Sequence, residues 1–309
     1  MINRELIRLK VIQLVYANYK NPGKTLDKAV EELSFSLNQS YDLYHYLLLL
    51  IPSITDFARE LYESSYNRMK SLGDNELPNP RFINNRLAAQ LAANKQLNKF
   101  EDKKDSHHWE EAEGELRALY RIISSSEIYA EYMSEEEDNY QTDKTFWKKI
   151  YKKYICDNES LEGTMEDWSI YWNDDKAIID TFVLKTLSRF DEANGADQPL
   201  LAAYEKEEDW EFAQKLFKNA LMNRAEYEDL ISSYTRNWSL ERLPVIDVVI
   251  MVTALAEIIN FPQIGLSITF NEYINLVKTY STPKNASYIN GLLDNITKQL
   301  IQDNIIQKQ

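Results

Sequence analysis

The sequence predicts an all-α protein, and three observations carry that reading. It has only 7 glycines and 8 prolines in 309 residues, under half the usual share of roughly 12%, so there are too few turn formers for many strands. The long segments are filled with Leu, Ala, Lys, Glu and Gln, the better helix formers. Apolar residues recur at three-four spacing, most regularly in the last third: Ala213, Leu216, Phe217, Ala220, Tyr227 and Leu230 line one face.

The elements follow in order. Residues 3–20 read as a helix that Asn21-Pro22-Gly23 stops, and its apolar residues lie on most faces, so its body must be buried in a bundle. Residues 25–72 read as two helices with Pro52 marking a kink or break. Leu77-Pro78-Asn79-Pro80 and Asn194 to Pro199 read as linkers. Between them helical patterns cover 81–99, 109–133, 143–156 and 174–190. Val245 to Phe261 is apolar on nearly every side, as a central helix should be. Ser267 is placed to cap the next helix, Thr282-Pro283 to end it, and Asn285 to cap the last. The segment Asp143–Trp172 aligns without gaps on Asp209–Trp238, with Phe146, Lys149, Lys152 and Glu162 meeting Phe212, Lys215, Lys218 and Glu228. We read this as a duplication in which a middle block copies part of the C-terminal bundle.

Composition narrows the function classes. One cysteine, Cys156, excludes an intramolecular disulfide and a cysteine metal cluster, and burial is its expected state. The N-terminus lacks an apolar signal core and no stretch offers the roughly 20 apolar residues of a membrane span, so the expected compartment is the cytoplasm, with no membrane partner. Net charge is −14, which as a global value opposes nucleic-acid binding. Phosphate affinity depends on local charge, however, since screening limits its reach to about 10 Å. Two windows are locally basic. Residues 1–28 carry Arg4, Arg8, Lys10, Lys20, Lys24 and Lys28, and residues 81–104 carry Arg81, Arg86, Lys95, Lys99, Lys103 and Lys104.

No constellation for catalysis is present: no glycine-rich phosphate loop, no HExxH, no GxSxG. The sequence is read as non-enzymatic, without cofactor. His107 and Glu111 have the i, i+4 spacing of metal ligands, but in an acidic helix without a third ligand a surface role is expected. His45, in an apolar helix, reads as a core histidine. Arg4 and Arg8 share one face at the start of the first helix, where the helix pole adds positive potential; Arg8 is expected to be an exposed charge whose reversal would leave melting nearly unmoved. Gly291 lies inside a strong helix pattern at a cost of about 1 kcal/mol, which predicts that a backbone or partner packs against it, with Asn290 bonding to the same group.

These segments resemble the NusB family of transcription antitermination factors. Asn237-Trp238-Ser239-Leu240-Glu241-Arg242-Leu243-Pro244-Val245-Ile246-Asp247 resembles that family's W-x-x-x-R-L-x-x-I-D/E stretch. Asn271-Glu272, Thr279 and Tyr288-Ile289-Asn290-Gly291-Leu292-Leu293-Asp294 are similar to its I-N-E-A and F-V-N-G-V-L-D patterns, and Arg8, Gln13 and Tyr16 match R-x-x-x-x-Q-x-x-Y. The match covers residues 1–20 and 205–300. The resemblance implies an all-α, NusB-like helical bundle with an inserted helical block: an N-terminal helix at 1–24, an inserted region at 25–204, and a C-terminal bundle at 205–309.

It also implies an RNA-binding adaptor of an rRNA antitermination complex with RNA polymerase, holding boxA-like RNA together with the ribosomal protein NusE. By position, Arg4, Arg8, Lys10, Lys284, Ser287 and Tyr288 would meet RNA, and Tyr16 and Asp247 would face NusE. The sequence departs from the family at Glu5, Leu6 and Ile7, where further basic or small residues are usual, and at Val252, where the family has arginine. The basic 81–104 window is a candidate compensation. Two other readings stand beside this one. The chain could be a helical scaffold that binds only proteins, or the RNA-binding part of an rRNA methyltransferase, whose catalytic half would need a glycine-rich βα segment absent here.

Overall fold

The computed structural model describes residues 1–73, 77–104, 108–235 and 242–308, and among these every regular element is helical. Two compact units form: one contains Met1 and residues 39–203, the other residues 2–38 and 204–309. The first boundary between these units falls at 38/39, inside a helix.

Helix α1, Arg4–Lys20, starts because the Asn3 side chain accepts from the Leu6 N–H at 2.9 Å, satisfying one orphan donor of the first turn. It ends at Asn21 before Pro22 and Gly23. Helix α2, Leu26–Ser71, is one continuous helix with Pro52 inside, not two. Proline removes one backbone hydrogen bond and costs roughly 3 kcal/mol. Against that, Leu47, Leu48, Leu50, Ile51 and Ile54 are fully buried around it, each contributing about 1.5–3 kcal/mol. Burial wins. The hydroxyls of Ser53 and Thr55 donate to the carbonyls of Leu49 and Ile51 at 2.8 and 2.9 Å on the same stretch.

The unit holding residues 39–203 continues with α3 (Arg86–Ala92), α4 (Lys95–Glu101), α5 (His108–Glu111), α6 (Glu113–Ser124), α7 (Glu127–Ser134) and α8 (Tyr140–Ile150). A π-helical turn, Tyr151–Ile155, extends α8, and α9 (Glu159–Trp168) and α10 (Lys176–Arg189) follow. Helix α8 packs against α3, α7 and α10. Asp143 is its polar anchor: it accepts from the Tyr132 hydroxyl at 2.6 Å and from the Arg86 N–H at 2.8 Å. Asp180 accepts from Tyr151 at 2.6 Å and from Lys176 at 2.7 Å, while Lys176 also donates to the Ile155 carbonyl at 2.6 Å. The lysine thereby satisfies a carbonyl at the end of the π turn. The expected 194–199 linker is largely a short 3₁₀ turn, Glu192–Asp197.

The other unit holds α11 (Glu207–Met222), α12 (Arg224–Tyr234), α13 (Val245–Asn260), α14 (Leu266–Tyr280) and α15 (Pro283–Gln302). Helix α13 is central and packs against α1, α11, α12, α14 and α15. Two caps differ from expectation. Gly265 rather than Ser267 precedes α14, and Thr282 caps α15 by accepting from the Asn285 N–H at 3.2 Å, with Pro283 at the first helical position where its missing N–H costs nothing. Thr282-Pro283 therefore opens α15, just after Ser281 has closed α14.

The two aligned segments carry matching helix pairs. Shifted by 66 residues, α9 would span 225–234, and α12 is Arg224–Tyr234. The pairs Phe146/Phe212, Ile150/Leu216, Tyr151/Phe217, Leu161/Tyr227 and Met165/Ile231 are buried at both members. Trp238, the partner of Trp172 in this alignment, lies outside the described residues.

His45 is a core histidine. Its Nδ1 lies 2.7 Å from the Tyr41 carbonyl, which can only accept, so Nδ1 carries the proton, and its ring stacks on Phe100 at 4.5 Å. Burial pushes its pKa down from 6.5 to about 4, although the bond to Tyr41 opposes the shift. The unfolded chain therefore binds this proton between pH 6.5 and about 4 while the folded chain does not, and stability falls as pH falls through that window. Acidification to pH 4 should cost up to about 3 kcal/mol from this group. Urea melts at pH 7 and pH 4.5 should show this loss, and His45→Gln should lose correspondingly less.

Candidate functional site

The centre of the second unit is a buried ion pair. Arg8 on α1 donates through Nε to Glu257 Oε2 at 2.8 Å and through Nη2 to Oε1 at 3.0 Å, with 3% of the arginine and none of the glutamate exposed. Thr269 donates to Oε1 at 2.8 Å and Tyr273 to Oε2 at 3.1 Å. The third guanidinium nitrogen lies 3.3 Å from Glu272. Burial alone would lower the Arg8 pKa, but the bond to Glu257 and its charge more than offset that, and the net direction is up. Burial and the same carboxylate push the Tyr273 phenol well above its ordinary value. Burial also raises the Glu272 carboxyl, against the pull of Arg8. One charged cluster thus ties α1, α13 and α14 together.

This corrects the expectation for Arg8. It is not an exposed charge offered to phosphate, and Lys10 is fully buried too. The physical reason is Glu257: a carboxylate in an all-round apolar helix must find a cation, and a helix-borne arginine with a planar fork fits it bidentately. Of the N-terminal trio only Arg4 reaches the surface, its guanidinium 3.8 Å from Asp209 and 4.9 Å from the centre of the Phe212 ring.

The other expected residues lie at the opposite end of α13. Asn285, in the first turn of α15, donates to Asp247 Oδ2 at 2.7 Å, which fixes the start of α15 on the start of α13. Lys284, Ser287 and Tyr288, spaced i, i+3, i+4, all face solvent there, Tyr288 with 41% exposure. Glu257 and Asp247 are ten residues apart, roughly 15 Å along the helix at 1.5 Å per residue. The structure therefore does not join Arg4 and Arg8 to the Lys284–Tyr288 edge. Tyr16 is half-buried with the Lys20 ammonium 5.6 Å from its ring centre. Asp247 is fully buried, and its Oδ1 has no hydrogen-bond partner among the described residues.

Several expectations lapse at other positions. Half of the 81–104 window is neutralised: Arg86 pairs with Asp138 at 3.1 Å, Lys95 with Asp197 at 2.8 Å and Lys104 with Asp42 at 2.5 Å, while Arg81 donates to the carbonyls of Glu135 and Glu137. Cys156 is only half-buried, its thiol pushed up to about 11 mainly by burial. His107 lies outside the described residues, whereas His108 stacks on Trp168 at 4.6 Å. No group of metal-ligating side chains is found among the described residues, and no helix there is long and apolar enough to cross a membrane.

Gly291 is also corrected. It is exposed, and a Cβ built on it would meet nothing within 4 Å; no neighbour packs on its backbone, and Asn290 beside it is exposed as well. The residues that sequence reasoning missed are Thr269, Tyr273 and Asn285 as polar partners. The signal that could have found them is the buried acid itself, since Glu257 and Asp247 on an apolar helix each require donors.

Comparison with known proteins places these helices. The model of the NusB family matches residues 178–298, from α10 through most of α15; it begins earlier than the resemblance in the C-terminal motifs and leaves out α1. A Symbiobacterium thermophilum protein described as transcription antitermination protein NusB is 33% identical over 119 residues, covering 38% of this chain and 74% of that protein. Proteins of the same description from Salinibacter ruber and Dictyoglomus turgidum are 31% and 38% identical, over 78% and 60% of their lengths and 38% and 28% of this chain. Among solved structures, T. maritima NusB shares 28% identity over 38% of this chain and 72% of its own, with a TM-score of 0.29.

Two outcomes are expected. Arg8→Ala strands a buried carboxylate and should cost about 3–5 kcal/mol in a chemical melt, whereas the double variant Arg8→Met, Glu257→Leu should recover most of that loss. Gly291→Ala should raise stability by about 0.5–1 kcal/mol, the opposite of the sequence expectation; a drop in the melting midpoint would restore the idea of a packed backbone.

Proposed function

The chain belongs to the NusB family, and we propose that it is an adaptor of transcription antitermination that holds boxA-like RNA together with the ribosomal protein NusE. The observation that carries this reading is the edge of α15. Lys284, Ser287 and Tyr288 present a cation, a hydroxyl and an aromatic ring to solvent on one helix face, beside a start that Asn285 fixes to Asp247. An exposed aromatic with a neighbouring cation suits single-stranded RNA, whose bases can stack while a phosphate is neutralised. Arg4 is the N-terminal residue still able to reach a phosphate, with Arg8 and Lys10 holding the scaffold.

The NusE surface would centre on Tyr16 and Asp247. Asp247 is itself fully buried and would act from beneath that surface, by holding the start of α15 through Asn285. The burial of Arg8 and Lys10 favours a second reading, a scaffold that binds proteins without RNA affinity.

Titration of fluorescent boxA RNA with and without NusE separates the two. On the adaptor reading RNA binds and Tyr288→Ala weakens it by about 1–3 kcal/mol, the usual value of one stacked base, without moving the melting midpoint. Binding of NusE alone, with no RNA affinity at low salt, would leave the scaffold.

A further inference from the structure

We propose that the solvent face of α8 and its π-helical extension is a second RNA-backbone surface, belonging to the unit of residues 39–203 and independent of the α15 edge. This inference rests on the RNA-binding reading above and adds to it where the chain meets phosphate.

Residues 144–156 contain five lysines and no acid in a chain of net charge −14. At 100° per residue Lys144, Lys148, Lys149, Lys152 and Lys153 fall within one half of the helix circumference, while Asp143, Phe146, Trp147, Ile150 and Tyr151 are buried on the other. Lys149, Lys152 and Lys153 are exposed and Lys148 half-exposed. None of these four makes an ion pair among the described residues. Lys144 is turned inward, donating to the Phe190 carbonyl at 3.1 Å. Lys153 lies 5.4 Å from the Tyr154 ring centre, which leaves a half-exposed aromatic within the basic row.

Comparison with the other basic segment sharpens the point. Residues 81–104 carry a similar charge, but four of their six basic side chains, Arg81, Arg86, Lys95 and Lys104, are spent on Asp42, Asp138, Asp197 and backbone carbonyls, which leaves Lys99 and Lys103 exposed. The aligned helix makes the same contrast. Lys215, the counterpart of Lys149, donates to the Asn260 carbonyl at 2.9 Å and lies over Phe261, so in α11 that lysine serves its own unit. The helix dipole favours cations in the last turn at about 0.3–1 kcal/mol each; here Lys148 and Lys149 close α8 and Lys152 and Lys153 continue the row through the π turn, one turn more than the dipole alone accounts for. Four ammoniums without an ion-pair partner among the described residues raise the local positive potential, which a polyanion would neutralise, although Lys149 also borders a cleft that holds Glu131, Glu135 and Glu137. The apolar side of this helix is already used in the core, which leaves no apolar residues to enter a lipid surface. From Lys148 to Lys153 the row is roughly 8 Å long, enough for about one or two phosphates of an extended strand.

The test uses the full chain, fluorescein-labelled single-stranded RNA, and anisotropy at about 50–200 mM KCl. The variant Lys148→Gln, Lys149→Gln, Lys152→Gln, Lys153→Gln should keep the wild-type melting midpoint. It should raise Kd by at least tenfold at the low-salt end, and reduce the log–log salt slope by about 1 in magnitude. The corresponding four-arginine variant should bind like wild type. An unchanged Kd and slope in the glutamine variant, with Tyr288→Ala still defective, overturns the lysine face and keeps the α15 reading. Absence of RNA binding by the wild-type chain at low salt overturns both. Loss in the glutamine variant of binding to phosphatidylserine vesicles, with RNA affinity intact, overturns the lysine face in favour of a lipid surface.

Discussion

A single buried charge pair decides how the second unit is built. Glu257 sits on the most apolar helix of the chain with no exposure, where an unpaired carboxylate would cost several kcal/mol or take up a proton. Arg8, Thr269 and Tyr273 remove that cost with four hydrogen bonds. Because those donors come from α1 and α14, satisfying one side chain fixes the positions of three helices. Hydrophobic burial supplies the bulk of the stability, but it is non-directional; the pair supplies register.

At the other end of α13 the same logic is left incomplete. Asp247 is as buried as Glu257, yet among the described residues it receives one hydrogen bond, from Asn285, and keeps an oxygen without a donor. Two acids on one helix therefore differ in kind. Glu257 is closed by its own chain. Asp247 fixes the start of α15 and has capacity to spare beside the exposed Lys284–Tyr288 edge. That asymmetry is why the second end of the helix, rather than the arginine end, carries the functional reading.

Much of this was legible in the sequence. The scarcity of glycine and proline, the stops at Asn21-Pro22-Gly23 and the central apolar run Val245–Phe261 led directly to the helices found. Pro52 misled because local chemistry says break, while the buried leucines around it outweigh the cost. Gly291 misled in the opposite sense: a glycine in a helix invites a packing explanation, and here it simply faces water. Arg8 was read from its spacing to Arg4, which is a surface argument, whereas the decisive fact was its pairing with a residue 249 positions away. Periodicity reports which face is apolar; it is silent on which cation answers a buried acid. The lysine row on α8 was partly visible through Lys149 and Lys152 in the repeat, but the partial neutralisation of the competing 81–104 window appears only once the helices are placed.

The aligned helix pairs also bear on how such a chain avoids misassembly as it folds. Two segments with the same boundaries and the same buried register are natural substitutes for one another, and repeat-containing chains characteristically fail by exchanging equivalent pieces. One position blocks the exchange. Trp147 and Ala213 are equivalent and both fully buried, so α8 placed in the seat of α11 would force an indole into space shaped for a methyl group, and α11 in the seat of α8 would leave a void the size of that indole. Overpacking and cavity formation each cost kcal/mol. A difference in volume at one core position thus keeps two look-alike hairpins in their own places.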